Sequence, residues 1–133
     1  MGHLALDLGN LYRATGAELA NASLLFQFLH KADLAAWLAR LPAGALEKTA
    51  QRLEEIVAPL TLARLRCADA ELVRDEFALV AQMLRHGLHR AGAGQESAQD
   101  LHALLAGHCR LWLARNRPGG LADSQRPLRA RLP

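Results

Sequence analysis

The sequence is short of the residues that build sheets, bridges and membrane spans. Val and Ile are scarce, and the aromatic set is three Phe, two Trp and one Tyr. Pleated strands prefer β-branched and aromatic side chains, so a sheet has little here to be made from. Cys67 and Cys109 stand far apart and form no Cys-x-x-Cys pair. They read as small buried hydrophobes in a reducing compartment rather than as a disulfide or a metal clip. No apolar run approaches the roughly twenty residues of a membrane span, and no leader with a basic, an apolar and a small-residue part opens the chain. The expected location is the cytoplasm, without a membrane partner.

What the chain has in quantity is Leu and Ala, within an apolar fraction of 51%. Such side chains lose little rotamer freedom on a helix. The 133 residues fit one domain, and a chain of this length buries roughly two thirds of its unfolded surface. The expected fold is all-α, a compact bundle of about five to seven helices.

The net charge of +3 comes from sixteen basic residues, only two of them Lys, against thirteen carboxylates. Arg13, Arg40, Arg52, Arg64, Arg74 and Arg90 are dispersed among acids, unlike the basic face of a nucleic-acid module. The end of the chain differs. Arg110, Arg115, Arg117, Arg126, Arg129 and Arg131 have only Asp123 as a local carboxylate, which reads as a solvated or partner-facing surface. No nucleic-acid partner is expected.

Periodicity places the elements. Leu4, Leu8, Leu11 and Tyr12 share one helical face that should stop near Gly16. Asn21 is a candidate cap for a second helix with the face Leu24, Leu25, Phe28 and Leu29. Asp33 can cap a short third helix containing Leu34, Trp37, Leu38 and Leu41, broken by Pro42 and Gly44. Leu46, Ala50, Leu53, Ile56 and Val57 mark a fourth, ended near Pro59; residues 60–68 read as either a continuation or a connector. Asp69 is the expected cap of the longest helix, with Leu72, Val73, Phe77, Val80, Leu84 and Leu88 as one stripe. The turn Gly92-Ala93-Gly94 leads through a weak capping box, Ser97 with Asp100, into a last long helix faced by Leu101, Leu104, Leu105, His108, Leu111 and Trp112. So short a connection makes residues 69–116 an antiparallel hairpin. A single helical domain over 1–120 follows, with 121–133 a tail or a short terminal helix. The first helix begins without a convincing cap, as if cut from a longer polypeptide.

The chemistry-bearing residues do not assemble into a site. His86 and His89 sit three apart, but zinc needs three or four converging ligands and no Glu-x-x-His is present. His108 lies on the apolar stripe and reads as a hydrogen-bonded core histidine. Glu54-Glu55 and Asp75-Glu76 are neighbours on a helix, point about a hundred degrees apart and so cannot straddle one bond; they read as solvated faces. His108-Cys109 diverges for the same reason. No catalytic residue, cofactor or metal is expected. The remaining candidates for a contact are Trp112, Arg115, Asn116 and Arg117, where planar and cationic groups meet a helix end and a Pro-Gly-Gly turn.

The segment carrying them, LWLARNRPGGLADS at 111–124, resembles the end of the helical C-terminal region in bacterial proteins related to family 20 glycoside hydrolases, the β-N-acetylhexosaminidase type. Asp7-Leu8-Gly9-Asn10-Leu11-Tyr12 and Asn21-Ala22-Ser23-Leu24-Leu25-Phe26 resemble the early part of the same region; RNRPGGL is the distinctive stretch. The resemblance implies a parent with a (β/α)8 barrel that holds an Asp-Glu pair and uses the substrate's acetamido group as nucleophile. None of those catalytic positions maps onto this chain. The implied role is therefore a non-catalytic accessory or structural domain whose partner is the parent's catalytic barrel, inactive on its own. The alternative is a free-standing helical protein–protein interaction module, with a homo-oligomer left open.

Overall fold

A computed structural model describes residues 2–19, 23–93 and 98–132. Among these it is all-helical, with seven α-helices and two 3-10 turns and no strand. The first helix, α1 (Gly2–Asn10), tightens into a 3-10 turn over Leu11–Thr15 and stops at Gly16, whose φ of 68° suits a residue without Cβ. Next comes α2 (Leu24–His30). Its observed cap is Ser23, whose Oγ accepts the Phe26 amide at 3.2 Å; Asn21 lies outside the described residues. Asp33 Oδ1 accepts the Ala35 amide at 2.9 Å and starts the single turn α3 (Ala35–Leu38).

The fourth helix, α4 (Ala45–Val57), gives way at Pro59 to a 3-10 turn, Ala58–Leu62. The hairpin is α5 (Ala70–Arg90) and α6 (Ala98–Arg115), and α7 (Leu121–Arg129) follows it. Gly94 and Ser97, expected in the connection, lie outside the described residues. Gly107 of α6 meets Leu79 of α5, and Arg110 meets Asp75. Rising numbers on one helix thus face falling numbers on the other, which makes the pair antiparallel.

The core lies between α1, α2, α4 and α5. Phe28 (0% exposed), Leu11, Leu24, Leu53 and Leu88 are its most buried large side chains, joined by Leu8, Ile56, Val57 and Ala81. Gly87 marks the crossing of α5 and α2, where a Cβ would make ordinary contacts at 3.4 Å from Phe28 Cβ and 3.5 Å from the Leu29 amide nitrogen. A second, smaller cluster of Leu101, Leu105 and Leu128 joins α6 to α7, with Leu29 and Met83 packed on it.

Three expectations are corrected here. Val80 is 43% exposed, and Ala81 takes the inward place between Phe77, Leu84 and Leu88. Cys67 is exposed rather than buried, because it falls in the connector before α5. Asp69 makes no capping hydrogen bond; its carboxylate turns instead to Arg115, 2.7 Å away.

Candidate functional site

The four candidate contact residues fall where α6 ends, and the fold joins them into one corner. The indole of Trp112 is half-buried, not fully buried as its stripe suggests. Its Nε1 donates to the Arg117 carbonyl at 3.0 Å. On α6 the ring stacks with His108, centroids 5.8 Å apart. Asn116 closes the last turn, its amide and its Nδ2 both donating to the Trp112 carbonyl, at 2.7 and 3.2 Å. Pro118 cannot continue the helix. Gly120 then adopts φ 83°, and a Cβ on it would lie 3.4 Å from Trp112 Cζ2. The glycine is thus required for its backbone angle, while a Cβ there would only touch the indole.

Arg115 does not point toward an outside partner. It lies 2.7 Å from Asp69 and 2.7 Å from Glu76, pinning the end of α6 to the start of α5. The Glu76 and Asp69 hydrogen bonds raise its pKa further above the ordinary arginine value, and Arg115 is the main cause of the lowered pKa of Asp69, with the Cys67 thiol second. Arg110 pairs with Asp75 at 2.8 Å. The adjacent carboxylates of α5, expected to be solvated, thus face the arginines of α6. Glu54 likewise receives Arg85 through two hydrogen bonds of 2.6 and 2.7 Å, which lower its pKa, while Glu55 pairs with Arg52.

The end of the chain has internal partners as well. Arg129 donates to Gln125 Oε1, and Gln125 Nε2 donates to the Leu105 carbonyl at 2.9 Å in the buried seam between α6 and α7. Arg131 donates to the carbonyls of His30 and Lys31, and Arg90 to those of Phe28 and Lys31. Two guanidinium groups thereby cover the negative end of α2, where helix carbonyls lack partners. The basic cluster read as partner-facing is spent largely on the chain's own acids and carbonyls. Arg115, Asn116 and Arg117 are all exposed, and Arg117 joins the corner through its carbonyl, which accepts the Trp112 indole N–H.

The histidines do not converge with acids into a metal centre: among the described residues no group of three or more His, Cys, Asp or Glu could hold an ion. Arg85, His86 and His89 of α5 and Asp100 of α6 line a small cavity of about 160 Å³ between the two helices. Arg85 is already held there by Glu54. His108 contacts Ser124 of α7, Nε2 to Oγ at 3.1 Å, as a hydrogen-bonded histidine. No helix among the described residues is long and apolar enough to cross a membrane. Compared with known proteins, the chain matches no family model, no curated protein and no solved structure.

Proposed function

We propose that this chain is a helical accessory domain of a glycoside-hydrolase-like protein of the β-N-acetylhexosaminidase type, serving to support a catalytic barrel rather than to carry out the reaction. The observation that carries this reading is the corner at Trp112–Gly120. The stretch that resembles the family region is the one whose indole, amide, proline and glycine are each used to fix how α6 turns into α7. Such a stretch has a structural reason for its composition that requires no substrate. Support also comes from the carboxylates, since Glu54, Glu55, Asp69, Asp75 and Glu76 are engaged by arginines. A general acid needs the opposite environment, one that raises its pKa.

The reading is tested on the open reading frame that contains this segment. Barrel-coding sequence upstream in the same frame, with a product in which barrel and helical region purify as one protease-resistant unit, is the expected result. A frame that encodes no barrel overturns it. Leu6, Phe26 and Leu62, at 61%, 55% and 83% exposure, favour the second reading, an interaction module that covers apolar surface with another protein. Under that reading the purified chain sediments as an oligomer.

A further inference from the structure

We propose that α7 with the residues up to Leu132 is an acid-released latch, docked while His108 and His30 are neutral and freed when they take up protons. The two histidines touch this segment at its two ends and belong to different helices. His108 of α6 meets Ser124 in the first half of α7, Nε2 to Oγ at 3.1 Å. Its other ring nitrogen, Nδ1, is buried with no hydrogen-bond partner among the described residues. A neutral ring leaves only that one atom unsatisfied, whereas an imidazolium would bury an N–H carrying positive charge with no acceptor to take it. His30 closes α2 and gives its carbonyl to Arg131, so protonating it places a second cation beside a guanidinium.

The charged surroundings agree. The His108 ring contacts Ser124 and Trp112, both uncharged, and the acids of α5 and α7 are engaged elsewhere, Asp75 and Glu76 by Arg110 and Arg115 of α6 and Asp123 by Arg126. None of these is left to stabilise an imidazolium. Beside His30 stands Arg131, whose charge opposes an imidazolium. Burial lowers the pKa of His108, and burial followed by the charge of Arg131 lowers that of His30, each from an ordinary 6.5. Both shifts have the same sign. With the segment undocked, His108 and His30 therefore bind more protons, so docking is at full strength above pH 6.5 and weakens as pH falls below it. Release would uncover Leu29, Met83, Leu101 and Leu105, the surface that Leu128 now covers, so the acid form gains an apolar face.

Amide hydrogen exchange of residues 121–132, corrected for intrinsic chemical rates, tests this from about pH 8 to about pH 5, with an expected loss of protection of about tenfold for each unit by which either pKa is lowered. Amides of α4 should stay protected. A His108→Gln/His30→Gln double variant should keep α7 protected and lose the pH response. Equal protection of α7 at both pH values, or a double variant that responds like the parent, overturns the proposal. Should the double variant fail to hold α7 even at the higher pH, ring titrations of both histidines in the parent chain decide. Midpoints below 6.5 that coincide with shifts of the α7 amides sustain the latch, and midpoints at or above 6.5 overturn it.

Discussion

The side of α5 that faces α2 and α4 and the side that faces α6 are held by different chemistry. Toward α2 and α4 the contact is apolar and close: Phe28, Leu53, Ala81 and Leu88 are buried together, and Gly87 lies at the crossing with α2. Toward α6, and on to α7, a smaller apolar cluster of Leu101, Leu105 and Leu128 is joined by specific polar pairs: Arg110 to Asp75, Arg115 to Glu76 and Asp69, and Gln125 to the Leu105 carbonyl. Apolar burial stabilises in proportion to area and fixes geometry loosely. Exposed ion pairs stabilise little and favour one register over others. The first side should therefore decide whether the chain folds, and the second how its last two helices are set.

The sharpest way to break that comparison is Phe28→Ala. The ring is fully buried where α2 crosses α5, so its loss should cost about 3–5 kcal/mol through transfer and cavity terms, read as a large fall in thermal midpoint. Trp112→Ala comes next. The ring is half-buried against His108 and Gly120 and its N–H holds one carbonyl, so about 2 kcal/mol is expected. An equal cost at both positions in denaturant melts would show that the C-terminal corner is as much core as the Phe28 crossing.

Gln125→Ala tests the polar side where it is buried. It takes from the Leu105 carbonyl the donor it has besides its own helix and leaves Arg129 without its Gln125 acceptor, and should cost about 1–2 kcal/mol. Its effect should be local, with α7 exchanging faster and α4 unchanged. Faster exchange throughout the chain would mean that the two sides unfold as one unit.

How far each side could be read from sequence follows from the same contrast. Helix count, the α5–α6 hairpin and most of the core come from spacing, because a 3.6-residue period is local and Leu24, Phe28, Leu53 and Leu88 obey it. Val80 misled because it and Ala81 are adjacent on the helix, and only the position of α4 and α2 decides which faces inward. The polar side was not legible at all. Asp75 and Arg110 are 35 residues apart, and nothing in either neighbourhood states that the hairpin register brings them together. Asp69 read as a cap for the same reason: its local sequence fits one, while Arg115 becomes its partner only in the folded hairpin. The candidate corner was half legible. Pro118, Gly119 and Gly120 announced a turn, but that the indole of Trp112 would bond to the Arg117 carbonyl depends on how the turn folds back.

Arg117→Ala should have the smallest effect of the series. Its side chain is exposed, and its contribution to the corner is the carbonyl that accepts the Trp112 indole N–H, which alanine supplies equally well. Arg117 lies outside α6 and makes no helix contribution that alanine would change, so the melting free energy should stay within about 0.5 kcal/mol of the parent. The comparison with Trp112→Ala then separates building from contacting. If the corner serves only to set α7, the tryptophan variant loses stability and the arginine variant loses nothing measurable in any assay. If the corner also meets a catalytic barrel, Arg117→Ala weakens association with that barrel at an unchanged melting temperature, and the loss shrinks as salt rises, as expected for a guanidinium at the rim of an interface. A drop in melting temperature for Arg117→Ala would contradict both, because it would require the exposed side chain itself to hold the fold.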